Sequence, residues 1–385
     1  MLRAKNYPVI FMLLRAVLLP DATEATSDGS RQVPVFNDGV LIRVPVTGLG
    51  RDLYFMVDTG FTISAIDAKY KQQLGDQLTT YFADSPLGSH KALEVFHCPD
   101  LSVAGKRLGL AQITSLDLQM PRYISGKPCD GVLGMDFFSK NVVAIDFDRQ
   151  TLTLYDAVPE SVEKTFVAVP LVQSATYYSL AAYLNQDRPV QLMVDTGETS
   201  SIALNAAAWE EVFGDRHKSE ITATFSDAAN QVAQSKIGVI DQLSIGGLNY
   251  TNFHATLIRN PDNPSHVGLG YFKRHSVVFD FANRRLYIRP GAKYGRPDQE
   301  DMSGLHLLRE DGLTIVYSVD KNSPAFAQGI QANDVVESIN GQRAALLSMH
   351  AIRRALMSTE GAQIDMQVRH GDQLRVVSFA LRKTL

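Results

Sequence analysis

Five consecutive residues, Met-Val-Asp-Thr-Gly, occur twice in this chain, at positions 56–60 and 193–197. Both copies end an apolar stretch, and an alternating stretch (40–46 or 178–184) precedes each of them across a short polar turn. Alternation on either side of a turn is typical of a β-hairpin. A repeat in matched hydrophobic settings therefore predicts two similar β-rich units within one chain.

The sequence downstream of each copy matches as well. Residues 130–134, Asp-Gly-Val-Leu-Gly, are echoed by residues 267–270, Val-Gly-Leu-Gly, and this pattern aligns Gly134 with Gly270. An aromatic pair and a closing hairpin follow in both places. The similarity therefore extends over the whole of each unit and indicates an internal duplication.

The chain divides into three units on these patterns. We expect the first unit over residues 32–156 and the second over residues 166–289. A linker rich in Pro, Gly and charged residues covers 290–303, and a third unit covers 304–385. The length of 385 residues agrees with two or three domains of ~150 residues each.

The composition is that of a folded chain, and the charge gives no sign of a nucleic-acid partner. Apolar residues make up 45% of the sequence and charged residues 20%, enough to form a core and to exclude general disorder. The formal net charge is −4 and no basic stripe occurs, so we expect no nucleic-acid partner. With only two cysteines, Cys98 and Cys129, the fold cannot depend on a set of disulfides. These two residues either form one disulfide or remain free thiols, and the sequence leaves the two alternatives equal.

Residues 1–25 have the layout of a secretory signal peptide. Arg3 and Lys5 precede an apolar run from Val9 to Leu19, and a polar stretch follows. The run is shorter than the ~20 residues that span a bilayer, so we expect no stable membrane span. Arg15 interrupts the run, and a frayed amphipathic arm on a cytosolic protein is the alternative. We favour export to the periplasm or out of the cell.

Residues 304–385 resemble a PDZ domain, a small α+β fold. The most specific part is Ser323-Pro324-Ala325, Gly329-Ile330, Asn333–Val336 and Ile339–Gly341. The resemblance implies binding of a C-terminal peptide, whose carboxylate is gripped by a loop. The residues of that loop would be Gly304, Leu305, His306 and Leu307. His306 stands where glycine is frequent, and a small packing domain without a ligand is the alternative.

Two Asp-Thr-Gly segments, each followed by an apolar-apolar-Gly element, resemble the retropepsin-like aspartic proteases of the pepsin-type clan, here as a bacterial-type tandem in one chain. The resemblance implies a mainly β fold, with two β-barrel lobes related by duplication ahead of the PDZ domain. Asp58 and Asp195 would be the catalytic residues. The supporting loop residues would be Thr59, Gly60, Thr196, Gly197, Gly134 and Gly270. Protein or peptide substrates would bind between the lobes.

The chemistry of amide hydrolysis explains why two aspartates are needed. Two carboxyl groups about 3 Å apart cannot both ionise cheaply, so they share a proton and supply an acid and a base. Because such a pair titrates as a unit, the sequence assigns neither role to Asp58 or Asp195 alone. This mechanism needs no metal and no cofactor, and the nine histidines include no zinc motif. Asp-x-Gly is also common turn chemistry, so aspartates that only cap turns are the structural alternative.

The sequence departs from the resembled family next to both aspartates. A small residue commonly follows Asp-Thr-Gly, whereas Phe61 and Glu198 occupy these positions. Without a hydroxyl group there, and with the Glu198 carboxylate nearby, we expect the pKa values of both aspartates to rise and the pH optimum to lie nearer neutral. The same departures favour a second hypothesis, a catalytically inactive peptide-binding adaptor. Flaps over the cleft are expected at residues 81–91 and 225–234.

Overall fold

The computed structural model describes residues 30–84, 90–214, 220–226 and 232–383. The predicted signal segment and the tips of both predicted flaps lie outside these residues. Within the described residues the chain is mainly β, as predicted, and ends in a small α+β domain.

The first lobe comprises residues 30–155 and contains thirteen strands among its described residues. The strands are β1 (Arg31–Pro34), β2 (Phe36–Asn37), β3 (Ile42–Gly48), β4 (Arg51–Val57), β5 (Ala65–Asp67), β6 (Thr79–Asp84), β7 (His90–His97), β8 (Leu101–Val103), β9 (Lys106–Arg107), β10 (Gln112–Leu116), β11 (Gly131–Leu133), β12 (Val142–Asp146) and β13 (Thr151–Tyr155). Two α-helices, α1 (Gln119–Ser125) and α2 (Met135–Phe138), and a 3-10 helix at Ala68–Gln73 complete it.

The second lobe follows after helix α3 (Glu160–Thr165) and repeats this arrangement. Its strands are β14 (Val167–Pro170), β15 (Val172–Ser174), β16 (Tyr177–Leu184), β17 (Arg188–Val194), β18 (Ile202–Leu204), β19 (Glu220–Ser226), β20 (Val232–Ile245), β21 (Leu248–Leu257), β22 (Ser265–Val267), β23 (His275–Asp280) and β24 (Arg285–Pro290). Its helices are α4 (Ala206–Phe213) and α5 (Leu269–Phe272).

The third unit is a separate small sheet with its own core. Its strands are β25 (Leu305–Glu310), β26 (Leu313–Val319), β27 (Val335–Ile339), β28 (Gln342–Arg343), β29 (Gln363–His370) and β30 (Gln373–Ala380). Its helices are α6 (Pro324–Ala327) and α7 (Met349–Leu356), with a 3-10 turn at Ala344–Leu346. Strand β25 lies at the edge of the sheet, and Ile352 and Leu356 of α7 are buried against its core.

The strand pairing around the two Asp-Thr-Gly segments is the same. Strand β4 runs parallel to β11, and β17 runs parallel to β22. The last residues of these strands face each other, Leu133 with Val57 and Val267 with Val194. Each Asp-Thr-Gly loop therefore leaves its sheet beside the end of a short parallel strand.

This register corrects the alignment of the downstream glycines. Gly134 directly follows Leu133 and is the N-cap of α2, and the residue that directly follows Val267 and is the N-cap of α5 is Gly268. Gly268 is therefore the counterpart of Gly134, and Gly270 lies two residues later, inside α5. The prediction that paired Gly134 with Gly270 was wrong because an apolar residue followed by glycine occurs twice in Val-Gly-Leu-Gly, and the sequence comparison matched the second occurrence.

The two lobes share one sheet and one core. The closing hairpins β12–β13 and β23–β24 pair through β12 and β23 in a six-stranded sheet, whose outer strands are β1 and β14. Phe138 of the first lobe packs edge-on against Phe279 of the second, with ring centroids 5.8 Å apart. The shared sheet fixes the lobes relative to each other, so the loops that follow β4 and β17 can meet in a defined geometry.

Local side-chain chemistry begins the helix after each loop. The carboxylate of Asp67 accepts from the N–H of Lys69, and the side chain of Asn205 accepts from the N–H of Ala208. Both are N-cap bonds that satisfy otherwise unpaired backbone donors.

Cys98 and Cys129 are free thiols, which decides between the two alternatives left by the sequence. Burial raises the pKa of each thiol to about 12, so neither is a reactive nucleophile at neutral pH.

Candidate active site

The two Asp-Thr-Gly loops meet and hydrogen-bond to each other through their threonines. The N–H of Thr59 donates to Oγ1 of Thr196 (3.1 Å), and the N–H of Thr196 donates to Oγ1 of Thr59 (3.0 Å). Each hydroxyl then donates to a carbonyl of the opposite strand, Val194 (2.8 Å) or Val57 (3.0 Å). Both threonines are buried, so these four bonds form a rigid two-fold clamp between the lobes.

The glycines of the loops let the two aspartates approach each other. A Cβ atom at Gly60 would lie 2.5 Å from the carboxyl carbon of Asp195, and a Cβ atom at Gly197 would overlap the carboxyl group of Asp58. No residue other than glycine fits at either position. The N–H of each glycine donates to the aspartate of its own loop at 2.9 Å. The structure thus brings together all six predicted residues of the two Asp-Thr-Gly segments.

The two carboxyl groups interact with each other but have unequal proton affinities. Burial, and then the charge of Asp195, raise the pKa of Asp58 well above its ordinary value. Burial alone would also raise the pKa of Asp195, but His266 and the N–H groups of Gly197 and Glu198 lower it below its ordinary value. The sequence-based expectation that both pKa values rise is therefore wrong for Asp195.

His266, which the sequence analysis did not single out, is the neighbour responsible for this difference. It lies on β22, is 3% exposed, and places Nδ1 at 3.2 Å from Oδ2 of Asp195. The two atoms are poorly aligned for a hydrogen bond, but their distance is that of an ion pair when the imidazole is protonated. Burial would lower the pKa of His266, but pairing with Asp195 raises it.

The residues that depart from the resembled family have found other partners. Phe61 packs against the apolar group of the first lobe that includes Met56 and Leu93, so it lines the cleft without filling it. The N–H of Glu198 donates to Oδ1 of Asp195 (3.2 Å), and its carboxylate accepts from the N–H of Ser200 (2.8 Å). Glu198 contributes to raising the pKa of His266 and is not among the groups that raise the pKa of Asp195.

The downstream glycines pack behind the loops. A Cβ atom at Gly134 would lie 2.5 Å from the carbonyl oxygen of Phe61, and one at Gly268 would lie 2.7 Å from that of Glu198. These two glycines therefore make equivalent contacts. A Cβ atom at Gly270 would lie 2.6 Å from the N–H nitrogen of Ser201, so this glycine also packs tightly, one step further from the aspartates.

A cleft of about 1,610 Å³ opens above the two aspartates. Ala83 and Lys91, from the described part of the β6–β7 hairpin, line it on the first-lobe side. The cleft also reaches the third unit, where Gly304 to Leu308 form part of its wall. A bound peptide could therefore contact the aspartates and the third unit at the same time.

The predicted carboxylate-binding loop lies at this end of the cleft, but part of it is already hydrogen-bonded. The N–H of Gly304 donates to Asp301 (2.9 Å) and the N–H of Leu305 donates to the hydroxyl of Ser303 (3.1 Å). Leu305 and Leu307 are buried in the core of the domain. His306 faces Asp320, with Nε2 and Oδ1 at 3.0 Å. A carboxylate bound here would have to compete with these internal acceptors.

Helix α1 of the first lobe lies against strand β25 and helix α7, the two elements that border a groove of the third unit. The hydroxyl of Tyr123 donates to the carboxylate of Glu310 at the end of β25 (2.9 Å), and Arg353 of α7 donates to the carbonyl of Ile124. A Cβ atom at Gly126 would lie 2.8 Å from Met349 of α7. The groove is therefore covered in part by the protein itself.

Neither a metal cluster nor a membrane helix is found in the described part of the chain. No three His, Cys, Asp or Glu side chains among residues 30–84, 90–214, 220–226 and 232–383 are grouped to hold a metal ion. No helix in the same ranges is long and apolar enough to cross a membrane.

Comparison with known proteins agrees with this geometry. Residues 180–271, which contain Asp195 and His266, match the family model described as aspartyl protease, and residues 315–370 match the PDZ domain model. The chain therefore contains an aspartyl protease domain and a C-terminal PDZ domain. No curated protein matches the sequence. Among solved structures, basic 7S globulin from soybean is 12% identical with a TM-score of 0.40, over 67% of this chain and 94% of that chain.

Proposed function

We propose that the protein is an aspartic endopeptidase whose two lobes arose by duplication and whose catalytic pair is Asp58 and Asp195. The observation that supports this most directly is the symmetric clamp of Thr59 and Thr196, which holds the carboxyl groups of Asp58 and Asp195 at the floor of an open cleft. Two aspartates that only capped turns would not need a glycine from the opposite loop packed against each of them.

The hydrolysis would use a water molecule held between the two carboxyl groups. One carboxylate takes a proton from the water, whose oxygen bonds to the carbonyl carbon of the peptide, while the protonated partner gives its proton to the carbonyl oxygen. The resulting tetrahedral diol returns one proton to the second carboxyl group. The C–N bond then breaks as the first carboxyl group gives its proton to the leaving nitrogen.

The substrates would be extended segments of proteins or peptides lying in the cleft. The PDZ domain would bind the end of a substrate or a regulatory partner, because its predicted carboxylate loop lines the same cleft as the aspartates. A secreted or periplasmic location, expected from residues 1–25, is part of this proposal.

Replacing either aspartate by asparagine tests the proposal. We expect Asp195→Asn and Asp58→Asn to lower the hydrolysis of an unfolded protein mixture by about 10²–10⁴-fold, because general acid–base catalysis contributes that much. Hydrolysis is measured between about pH 3.5 and 7.5 by the release of new amino termini. Asp187→Asn, an exposed aspartate at the turn before β17, is the matched control and keeps full activity.

Hydrolysis that both asparagine variants retain would contradict the proposal and point to another site. A folded wild-type protein that cleaves nothing, with and without added C-terminal peptides, would favour the adaptor hypothesis. Binding of unfolded polypeptide without cleavage would then be the property to measure.

A further inference from the structure

The two halves of the candidate site have the same backbone but differ at one inward-facing position. In the first lobe Val132 lies opposite Met56 on β4, and in the second lobe His266 lies opposite Met193 on β17. The flanking pairs also correspond, since Val132 faces Ala65 and His266 faces Ala203. A titratable imidazole thus replaces a valine at one of two equivalent positions.

The surroundings of His266 leave it few interactions other than that with Asp195. The residue is 3% exposed, and all of β22 is buried between β17 and β18. Its Nδ1 has no well-aligned hydrogen-bond acceptor among the described residues, and the nearest carboxylate oxygen is Oδ2 of Asp195 at 3.2 Å. A buried imidazole in this setting is stabilised mainly when it is protonated and Asp195 is ionised.

We propose that His266 is a positioning residue that keeps Asp195 as the ionised member of the pair and leaves the shared proton on Asp58. The inference rests on the proposed function, because it assigns roles within that reaction. Asp195 is then the base that takes the proton from water, and Asp58 is the acid that gives its proton to the carbonyl oxygen. The two-fold symmetry of the loops alone would leave these roles interchangeable.

The other charged groups near His266 either favour its protonated form directly or act on it through Asp195. Glu198, on the loop after β17, is a second negative charge and favours the protonated imidazole. Asp58, on the facing loop, has a pKa that burial and the charge of Asp195 raise. The other residues placed opposite His266, Met193 and Ala203, carry no charge. The pH dependence of the site therefore involves Asp58, Asp195, Glu198 and His266.

The kinetic test replaces His266 by the residue of the equivalent position. Without the positive charge, Asp195 binds its proton more tightly, so His266→Val should move the acid limb of the kcat/KM profile upward by about one to three pH units. His266→Gln, which keeps a polar side chain of similar size but cannot become charged, should show the same shift. His97→Val removes an exposed histidine on β7 and should leave the profile unchanged.

A second measurement needs no activity. The titration of His266 is followed by NMR of the imidazole in the wild type and in Asp195→Asn. Loss of the carboxylate should lower the pKa of His266 by about one unit or more, because an opposite charge at this distance supports the protonated form by that amount. Asp187→Asn should leave the titration unchanged.

The outcomes separate this inference from the proposed function. An acid limb that stays in place in active His266→Val and His266→Gln variants overturns the inference and leaves the protease proposal intact. A wild type without hydrolysis contradicts the protease proposal, and the NMR titration alone then decides whether His266 and Asp195 are paired. An imidazole titration that is the same in wild type and Asp195→Asn overturns the inference in either case.

Discussion

At the scale of single residues, the site combines a symmetric frame with asymmetric charges. The threonine clamp and the opposed glycines treat the two aspartates alike. His266 and Glu198 lie on the second-lobe side alone, whereas Phe61 gives the first-lobe side an apolar neighbour. The frame therefore fixes the distance between the carboxyl groups, and the neighbours decide which of them holds the proton.

This asymmetry predicts a broad pH–rate profile. The pKa of Asp58 is raised, so its proton is retained as the pH increases, and the pKa of Asp195 is lowered, so its charge is retained as the pH decreases. The singly protonated pair is thus present from below the ordinary carboxyl pKa to well above it. We expect kcat/KM to show a wide plateau between the two limbs. A narrow optimum below about pH 4 would contradict this, because it would require Asp58 to lose its proton in acid.

The sequence predicted those residues of the site that belong to a recognisable motif and missed those that do not. The two Asp-Thr-Gly segments predicted the meeting loops because each ends a long apolar strand. His266 escaped notice because its strand has only three residues, Ser-His-Val, and a lone histidine in an apolar run is usually a core residue. Aligning Gly134 with Gly268, rather than with Gly270, would have set His266 opposite Val132 and exposed the substitution.

At the scale of elements, the segment after β24 supplies a carboxylate that the second lobe lacks. In the first lobe the hydroxyl of Ser64 donates to Asp136, two residues after Gly134 (2.6 Å). The corresponding residue of the second lobe is Gly270, and the hydroxyl of Ser201 donates instead to Asp298 of the predicted linker (2.8 Å). The linker is therefore part of the structure that holds the second loop.

Removing the Asp298 charge tests this role. In the wild type the carboxylate of Asp298 lies 2.9 Å from the buried guanidinium of Arg274. Asp298→Asn removes this negative charge, so it should lower the free energy of unfolding by about 3–5 kcal/mol at neutral pH. Burial would raise the pKa of Asp298, but Arg274 lowers it. The contribution is therefore complete above the ordinary carboxyl pKa and is lost as the pH falls through the lowered value.

Denaturant unfolding at neutral and acidic pH measures both effects, and the difference between wild type and variant should shrink in acid. Asp148→Asn is the matched control: this exposed carboxylate also binds the linker, at the N–H of Ala292 (2.7 Å), and its loss should cost less than about 1 kcal/mol. Equal effects of the two substitutions would show that Asp298 is only a tether.

At the scale of the whole molecule, helix α1 connects the first lobe to the PDZ domain. Arg122 of α1 is paired with Asp67 of the first lobe, and Tyr123 of the same helix bonds Glu310 of the PDZ domain. Met120 and Pro121 line the cleft. The sequence could not predict this contact, since α1 carries no motif and the residues that it joins are 187 positions apart. We expect a ligand that adds to the outer edge of β25 to compete with α1.

Competition between α1 and a PDZ ligand is the last prediction. Tyr123→Phe removes the hydrogen bond to Glu310, which should weaken the docking of α1 on the PDZ domain by ~1 kcal/mol. Because α1 then competes less well, a C-terminal peptide should bind about fivefold more tightly. The probe is a fluorescent peptide that ends in valine with a free carboxylate, and its affinity is measured by anisotropy. Tyr177→Phe, in the second lobe at the start of β16, should have no effect, and an amidated peptide should bind neither form. An unchanged affinity in Tyr123→Phe would mean that the peptide and α1 occupy the PDZ domain together, so that ligand binding could not be transmitted to the cleft through this helix.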